Sequence, residues 1–128
     1  MIFLRFLILV CLLFMAPVMA SEIRVGVMTM QPGGIFWERF GHNAIVIDDG
    51  KQVLSYNFGF FDLSEPGFTR NFIAGRMNYI LAALPLEQDL AYYRQAGRGV
   101  SIQWLNLSKG QKARINRRLQ YLAKPENA

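Results

Sequence analysis

The sequence predicts an α+β fold in which an antiparallel sheet with a central β-hairpin, at about residues 43–58, is accompanied by three short helices. Three observations carry this prediction. One early segment alternates β-branched residues with others, an Asp-Gly pair lies between two β-rich runs, and apolar residues recur at helical spacing in three later segments. A chain of 128 residues has room for one domain.

Strand signals dominate the first half of the chain. Residues 23–29 alternate β-branched residues with others, as a half-buried strand does. Residues 42–47 and 52–59 are the two β-rich runs, and Asp49-Gly50 lies between them. This pair favours a two-residue type I′ turn, because both central residues of that turn need positive φ. The sequence therefore predicts a tight hairpin.

Helix and strand signals alternate in the second half. A short helix opens at residues 64–66, the apolar run 77–84 predicts a buried strand, and residues 100–104 alternate as a strand does. A second helix is predicted over 86–96, and a capping box at 108–111 begins the last helix. The predicted apolar stripes of the three helices are Phe68, Phe72 and Ile73; Leu86, Leu90 and Tyr93; and Ile115, Leu119 and Leu122.

The first twenty residues are typical of a secretory signal peptide. Their apolar run, 6–15, is well short of the roughly 20 residues of a spanning helix, and Val18 and Ala20 place small residues where signal peptidase requires them. We expect cleavage after Ala20 and export of residues 21–128 to the periplasm or the outer face of the envelope, an uncleaved anchor being the alternative. Cys11 is the chain's single cysteine, so the mature domain has no thiol of its own.

Positive charge is concentrated near the C-terminus. The chain has 14 Lys and Arg against 9 Asp and Glu, yet residues 21–108 carry seven basic and eight acidic groups. The basic helix at about 109–123 therefore predicts contact with an anionic membrane surface, with a solvated charged face as the alternative. We expect no nucleic-acid partner and no cofactor. We also expect no metal site, since one histidine and scattered carboxylates fall short of the usual ligand sets.

The predicted hairpin makes the single histidine a catalytic candidate. With Asp49-Gly50 as the turn, Val46 faces Val53 and His42 faces Asn57, so the last two side chains share one face of the sheet. An asparagine that bonds one imidazole nitrogen leaves the other nitrogen available, which is how a catalytic base is oriented. The alternative is that His42 is an ordinary polar residue at the start of a strand.

Four ordered segments carry a resemblance to a known family. They are Phe-Trp-Glu-Arg-Phe-Gly-His-Asn-Ala at 36–44, Tyr-Asn-Phe-Gly-Phe-Phe-Asp at 56–62, Phe-Ile-Ala-Gly-Arg-Met-Asn-Tyr at 72–79 and Leu-Asn-Leu-Ser at 105–108. Together they resemble the N-terminal periplasmic domain of the Lnb family of bacterial envelope proteins. The resemblance implies a circularly permuted papain-like fold, related to NlpC-type peptidases and lecithin:retinol acyltransferases. It also implies acyl transfer through a cysteine thioester, linked to lipoprotein N-acylation.

The resemblance also implies roles for individual residues. His42 matches the family's histidine, so His42 and Asn57 are the predicted catalytic residues. In the family, a segment like Lys124-Pro125-Glu126-Asn127 precedes an Asn-Cys-Ser motif that supplies the nucleophile, whereas this chain ends at Ala128. We therefore expect a truncated, incomplete papain-like domain that carries the histidine half of a thiol acyltransferase or hydrolase site and is inactive alone. The predicted substrate-pocket residues are Trp37, Arg39, Phe40, Phe58, Asp62 and Arg76.

Two further expectations follow from the missing thiol. A downstream segment or a second chain is expected to supply the cysteine. The alternative is a non-catalytic envelope module that binds a protein partner, or an anionic membrane surface through the basic helix.

Overall fold

A five-stranded sheet organises the molecule. The computed structural model describes residues 22–77 and 79–127, so the predicted signal peptide at 1–20 lies outside the described residues. The strands are β1 (Arg24–Met30), β2 (His42–Asp48), β3 (Val53–Phe60), β4 (Ile80–Pro85) and β5 (Val100–Trp104). Their spatial order is β4-β3-β2-β1-β5, and every neighbouring pair is antiparallel. The predicted α+β class with an antiparallel sheet is confirmed.

Three α-helices accompany the sheet at the places that the sequence predicts. They are α1 (Phe68–Ile73), α2 (Leu86–Gln95) and α3 (Lys109–Leu122), and short 3-10 helices cover Phe36–Glu38 and Pro125–Asn127. The capping box of α3 is confirmed: the Ser108 hydroxyl accepts from the Gln111 N–H, and the Gln111 side chain accepts from the Ser108 N–H. Within the described parts of the chain, none of the helices is long and apolar enough to cross a membrane.

The two longer helices lie on opposite faces of the sheet. On the face covered by α3, Leu119 packs in a cluster with side chains such as Val25 and Tyr56. On the face covered by α2, Tyr93 packs with Met28 and Val46. Alternate residues of a strand point to opposite faces, so β1 and β2 each supply apolar side chains to both clusters. We call these two surfaces the α3 face and the α2 face.

The central hairpin forms with a longer loop than predicted. The ladder between β2 and β3 ends at Asp48 opposite Val53, which leaves a four-residue connection at 49–52. Gly50 has a φ of +78°, and no non-glycine residue in the described chain has positive φ, so the predicted type I′ turn is wrong. The Asp49 carboxylate instead accepts from the backbone N–H groups of Lys51 and Gln52 and stabilises the wider loop.

The longer loop moves the pairing register by two residues. Asn57 lies opposite Ala44, where a two-residue loop places it opposite His42. A shift by two residues keeps every side chain on its predicted face, because side chains alternate with a period of two. The predicted direct pairing of His42 with Asn57 is therefore wrong, whereas their common face is confirmed.

Two predicted apolar elements are less buried than expected. In β4 only Leu81 is buried, because β4 is an edge strand with one neighbour. In α1 no residue is buried; Phe68 stacks on Phe72 with ring centroids 6.1 Å apart, and Ile73 is 80% exposed. The helix begins after Gly67 rather than at the preceding proline. This region therefore leaves large apolar side chains exposed.

Candidate functional site

A buried line of polar side chains runs from His42 into the α2 face. His42 Nε2 lies 3.1 Å from Asn57 Oδ1, and Asn57 Nδ2 donates to Asp89 Oδ2 over 2.9 Å. The Ser55 hydroxyl donates to the same carboxylate oxygen over 2.6 Å. His42 is half-buried, whereas the other three residues are buried. The site therefore joins the two strands of the hairpin to α2.

The hydrogen-bond chain fixes which nitrogen of His42 carries the proton. A carboxylate only accepts hydrogen bonds, so Asn57 must turn its Nδ2 toward Asp89 and its Oδ1 toward His42. The amide oxygen only accepts, so Nε2 of His42 must be the donor. In the neutral imidazole this leaves the lone pair on Nδ1. Asp89 thus acts on His42 through Asn57, by selecting the tautomer.

Internal hydrogen bonds compensate for the burial of these polar side chains. Ser55 and Asn57 are at most 1% exposed and Asp89 is 5% exposed. Buried polar groups are costly unless they are hydrogen-bonded. Each of these side chains has a partner within the cluster, so the cluster is held in one arrangement.

Gly41 sets the position of His42 at the start of β2. Its φ is +73°, a conformation that favours glycine. A Cβ built on Gly41 would lie 2.6 Å from the backbone oxygen of Met30. The Gly41 N–H donates to the Glu38 carbonyl over 3.0 Å. A glycine is therefore required for the chain to leave the 3-10 helix and enter β2 at this angle.

His42 and Asp89 both line a pocket of about 520 Å³ on the α2 face. Six of its fourteen lining residues are Phe, Tyr or Trp, and polar or charged side chains such as Gln88 and Asp89 lie among them. Two of the predicted substrate-pocket residues, Trp37 and Phe58, belong to this wall and are 60% and 46% exposed. The wall also contains Glu38, Tyr92, Tyr93 and Arg98.

A charged cluster closes one side of the pocket. Arg98 Nη1 contacts Glu38 Oε1 at 3.1 Å, and the Tyr92 hydroxyl donates to the same oxygen over 3.1 Å. Arg98 Nε donates to the Gln31 carbonyl over 2.9 Å. These contacts tie the segment that carries Trp37 to α2 and to Arg98, three residues beyond the end of α2.

Tyr93 lies between the charged cluster and the buried polar line. Burial, and next the negative charge of Asp89, raise the pKa of Tyr93 to about 12. The Arg98 guanidinium carbon lies 4.8 Å from the centre of the Tyr93 ring. The hydroxyl of Tyr93 therefore stays protonated at neutral pH.

Four predicted pocket residues lie outside the pocket lining. Arg39 and Phe40 are exposed, and Phe40 is 94% exposed. Asp62 accepts from the backbone and hydroxyl of Ser64, which lowers the pKa of this carboxyl. Arg76 is exposed after α1. The structure places His42, Trp37 and Phe58 in the pocket lining with Asn57 bonded to His42, and it leaves the other four predicted residues outside the lining.

Sequence reasoning missed Asp89 and Arg98. Asp89 had a usable signal, because it lies three residues after Leu86 and four before Tyr93, on the predicted apolar stripe of its helix. A carboxylate on an apolar stripe indicates a buried polar partner. Arg98 follows the end of the helix and had no periodic signal. Within residues 22–77 and 79–127 no three side chains of the metal-ligating types come together.

The fold and site define a class: an α+β domain whose antiparallel sheet carries a histidine oriented by an asparagine beside an aromatic pocket. Residues 15–128 match the family described as the Lnb N-terminal periplasmic domain. The chain belongs to this family, and its domain is periplasmic. Neither the curated proteins nor the solved structures searched contain a match.

Proposed function

We propose that this domain carries the general-base half of a cysteine-dependent acyl-transfer or acyl-hydrolysis site. The observation that carries the proposal is the 3.1 Å contact between His42 Nε2 and Asn57 Oδ1. It directs the lone pair of a neutral imidazole to Nδ1, the atom that would take the proton of a thiol. The resemblance of the four sequence segments to a family with a permuted papain-like fold supports the same role.

The nucleophile in this proposal comes from outside residues 21–128, which contain no cysteine. Ser55 is a poor substitute, because its hydroxyl is buried and donates to Asp89. A hydroxyl also needs far more activation than a thiol at neutral pH. A downstream segment or a second chain is the proposed source of the thiol.

The exposed aromatic side chains beside the site suggest where a thiol-bearing segment would pack. Trp37, Phe40 and Phe58 are between 46% and 94% exposed; we call them the aromatic patch. Trp37 and Phe58 line the pocket together with His42, whereas Phe40 lies outside its lining. Exposed large apolar side chains near a pocket are typical of interaction sites. A segment packed on this patch would lie next to His42 and would exclude water from the pocket. The pocket's aromatic wall suits an acyl chain, in agreement with the family's link to lipoprotein N-acylation.

The test is to restore the thiol. The full chain would be extended at its C-terminus with an aromatic stretch and the family's Asn-Cys-Ser motif, then incubated with a short-chain thioester. Mass spectrometry would follow acylation of the added cysteine. We expect an acyl-enzyme adduct, formed at least 100-fold more slowly after His42→Ala, because a positioned general base contributes about 10²–10⁴ in rate.

Two controls sharpen this test. Replacing the added cysteine with serine should remove the adduct, and Arg94→Lys on the exposed side of α2 should leave its rate unchanged. The proposal fails if His42→Ala acylates as fast as the unchanged protein. It also fails if the original chain transfers acyl groups without any added thiol.

A second candidate function is binding to an anionic membrane surface through α3. Leu119 of this helix is buried against the sheet, whereas Arg114, Arg117 and Arg118 are exposed. Lys112 is the exception, since it pairs with Glu22 over 3.0 Å. Each basic residue near an anionic bilayer contributes about 1 kcal/mol of attraction, and the three exposed arginines form a surface that such a bilayer would attract.

Vesicle flotation at low salt would test the membrane candidate. We expect more protein to float with anionic vesicles than with neutral ones, and less after Arg114, Arg117 and Arg118 are all changed to Gln. The matched control changes Arg39, Arg70 and Arg76, which are also exposed but lie outside α3. Equal flotation with both vesicle types would exclude this function.

A further inference from the structure

The Arg98 guanidinium is buried at the pocket wall with one nitrogen unpaired. Its side chain is 5% exposed. Nε and Nη1 are bound by the Gln31 carbonyl and by Glu38. Nη2 is the one buried side-chain nitrogen or oxygen without a partner in the part of the chain that the structure describes. Leaving a buried charged donor unpaired is costly, so Nη2 indicates an acceptor that the protein alone does not provide.

The charges around Arg98 restrict the kind of acceptor. The Glu38 carboxylate already balances the guanidinium charge. Asp89 adds a negative charge to the same pocket and receives hydrogen bonds from uncharged groups only. The pocket therefore has no excess positive charge to attract a carboxylate or a phosphate. A neutral oxygen acceptor avoids repulsion from Asp89 and still gains a hydrogen bond from a charged donor.

We propose that Arg98 Nη2 binds the carbonyl oxygen of an ester or amide ligand in the pocket beside His42. This inference rests on the proposed function, because an acyl carbonyl is the group that a histidine-activated thiol attacks. It adds a residue that holds the carbonyl oxygen as negative charge develops there. Donors placed at such an oxygen are a major source of rate enhancement in acyl transfer.

Access to Nη2 requires one lining side chain to turn, because this nitrogen is itself shielded from solvent. Trp37 and Tyr92 line the same pocket and are 60% and 53% exposed. Trp37 can swing outward without opening the buried core, whereas turning Tyr92 would also break its hydrogen bond to Glu38. The ligand's apolar part then lies among aromatic rings while its carbonyl reaches Arg98.

The test uses the full chain labelled with ¹⁵N-arginine and titrated with N-hexylacetamide, a neutral carbonyl probe. NMR would follow the guanidinium signals of Arg98, and hexanoate would serve as the anionic probe. We expect the amide to shift the Arg98 signals and to bind more tightly than hexanoate. Arg98→Lys, which keeps the charge, should weaken amide binding about tenfold, whereas Arg94→Lys should leave it unchanged.

Three outcomes would overturn the inference. The first is that neither probe shifts the Arg98 signals of the unchanged protein. This measurement does not depend on whether a variant folds. Another is tighter binding of hexanoate, which would indicate an anion site. The third is equal amide affinity in Arg98→Lys. None of these binding results depends on the thiol or on His42, so they separate this inference from the proposed function, which the acylation assay tests.

Discussion

The two faces of the sheet are built from different chemistry. On the α3 face, Leu119 fills an apolar cluster with Val25, Ile47 and Tyr56. On the α2 face, an apolar cluster also forms, but Asp89 enters it and bonds the polar residues of β3. One helix therefore stabilises the sheet by burying apolar area alone, and the other also holds a polar line that ends at the histidine.

This difference teaches where function is placed in the domain. A helix that only buries apolar surface tolerates changes in its exposed charges, since those charges are solvated. A helix that supplies a buried carboxylate must keep both its position and its side chain, because an unpaired buried polar group is costly. We expect mutations on the α3 face to change only the stability of the fold. Mutations on the α2 face should change both the stability and the position or tautomer of the His42 ring.

The largest expected effect is on the α3 face. Leu119→Ala should lower the free energy of unfolding by about 3 kcal/mol, because it removes a buried side chain and leaves a cavity. Urea unfolding would measure this loss. The matched control is Leu63→Ala, at a leucine that is 62% exposed, with an expected change of less than about 0.5 kcal/mol. A shift of the His42 NMR signals in folded Leu119→Ala would contradict the expectation that changes on the α3 face leave His42 unaffected.

Gly41→Ala should lower the free energy of unfolding by about 2 kcal/mol, because alanine is strained at positive φ and its Cβ meets the Met30 carbonyl. The same change should displace the ring of His42, visible in its NMR signals. Gly34→Ala is the control, since nothing lies within 4 Å of a Cβ at that position. Equal effects at the two glycines would show that Gly41 does not position the histidine.

Asp89→Asn should cost about 1–2 kcal/mol of stability, since Ser55 and Asn57 would then donate to a neutral amide oxygen instead of a charged carboxylate oxygen. The new amide can also present its NH2 group to Asn57, which a carboxylate cannot do, so the Asn57 amide could turn over and His42 would become a mixture of tautomers. Nitrogen NMR of the imidazole would detect this change. Glu87→Gln, an exposed change on the same helix, is the control. A single Nε2–H tautomer in Asp89→Asn would contradict the role of Asp89 given above.

The smallest expected effect is a loss of stability at alkaline pH from Tyr93. Its pKa is raised to about 12 in the folded state, whereas an unfolded tyrosine titrates near pH 10. Below pH 10 both states are protonated and the full stability is present. Between pH 10 and pH 12 the unfolded state loses its proton first, so the free energy of unfolding falls as the pH rises.

Urea unfolding at pH 9 and pH 11.5 would measure this fall in the original chain and in Tyr93→Phe. We expect a shallower fall in Tyr93→Phe. Tyr121→Phe, at a half-exposed tyrosine of α3, should behave as the original chain does. If the free energy of unfolding fell equally with pH in all three proteins, Tyr93 would not be the source of the alkaline loss of stability.

Local patterns in the sequence predicted the elements well because they depend on neighbouring residues. The capping box at Ser108, the alternation in β1 and β5, and the apolar stripes of α2 and α3 all require only short-range chemistry. The hairpin was located for the same reason. The loop length was predicted wrongly, because the Asp49 carboxylate stabilises a wider loop by binding two backbone N–H groups.

The sequence by itself determined the α+β class, the order of elements, and the common face of His42 and Asn57, which survives a two-residue shift because side chains alternate with a period of two. Only the tertiary structure decided that Asp89 bonds Asn57 and that Arg98 lies at the pocket wall. Asp89 is 32 residues from Asn57 in the chain. Contacts over such distances depend on how α2 packs across the sheet, and no local pattern encodes that packing.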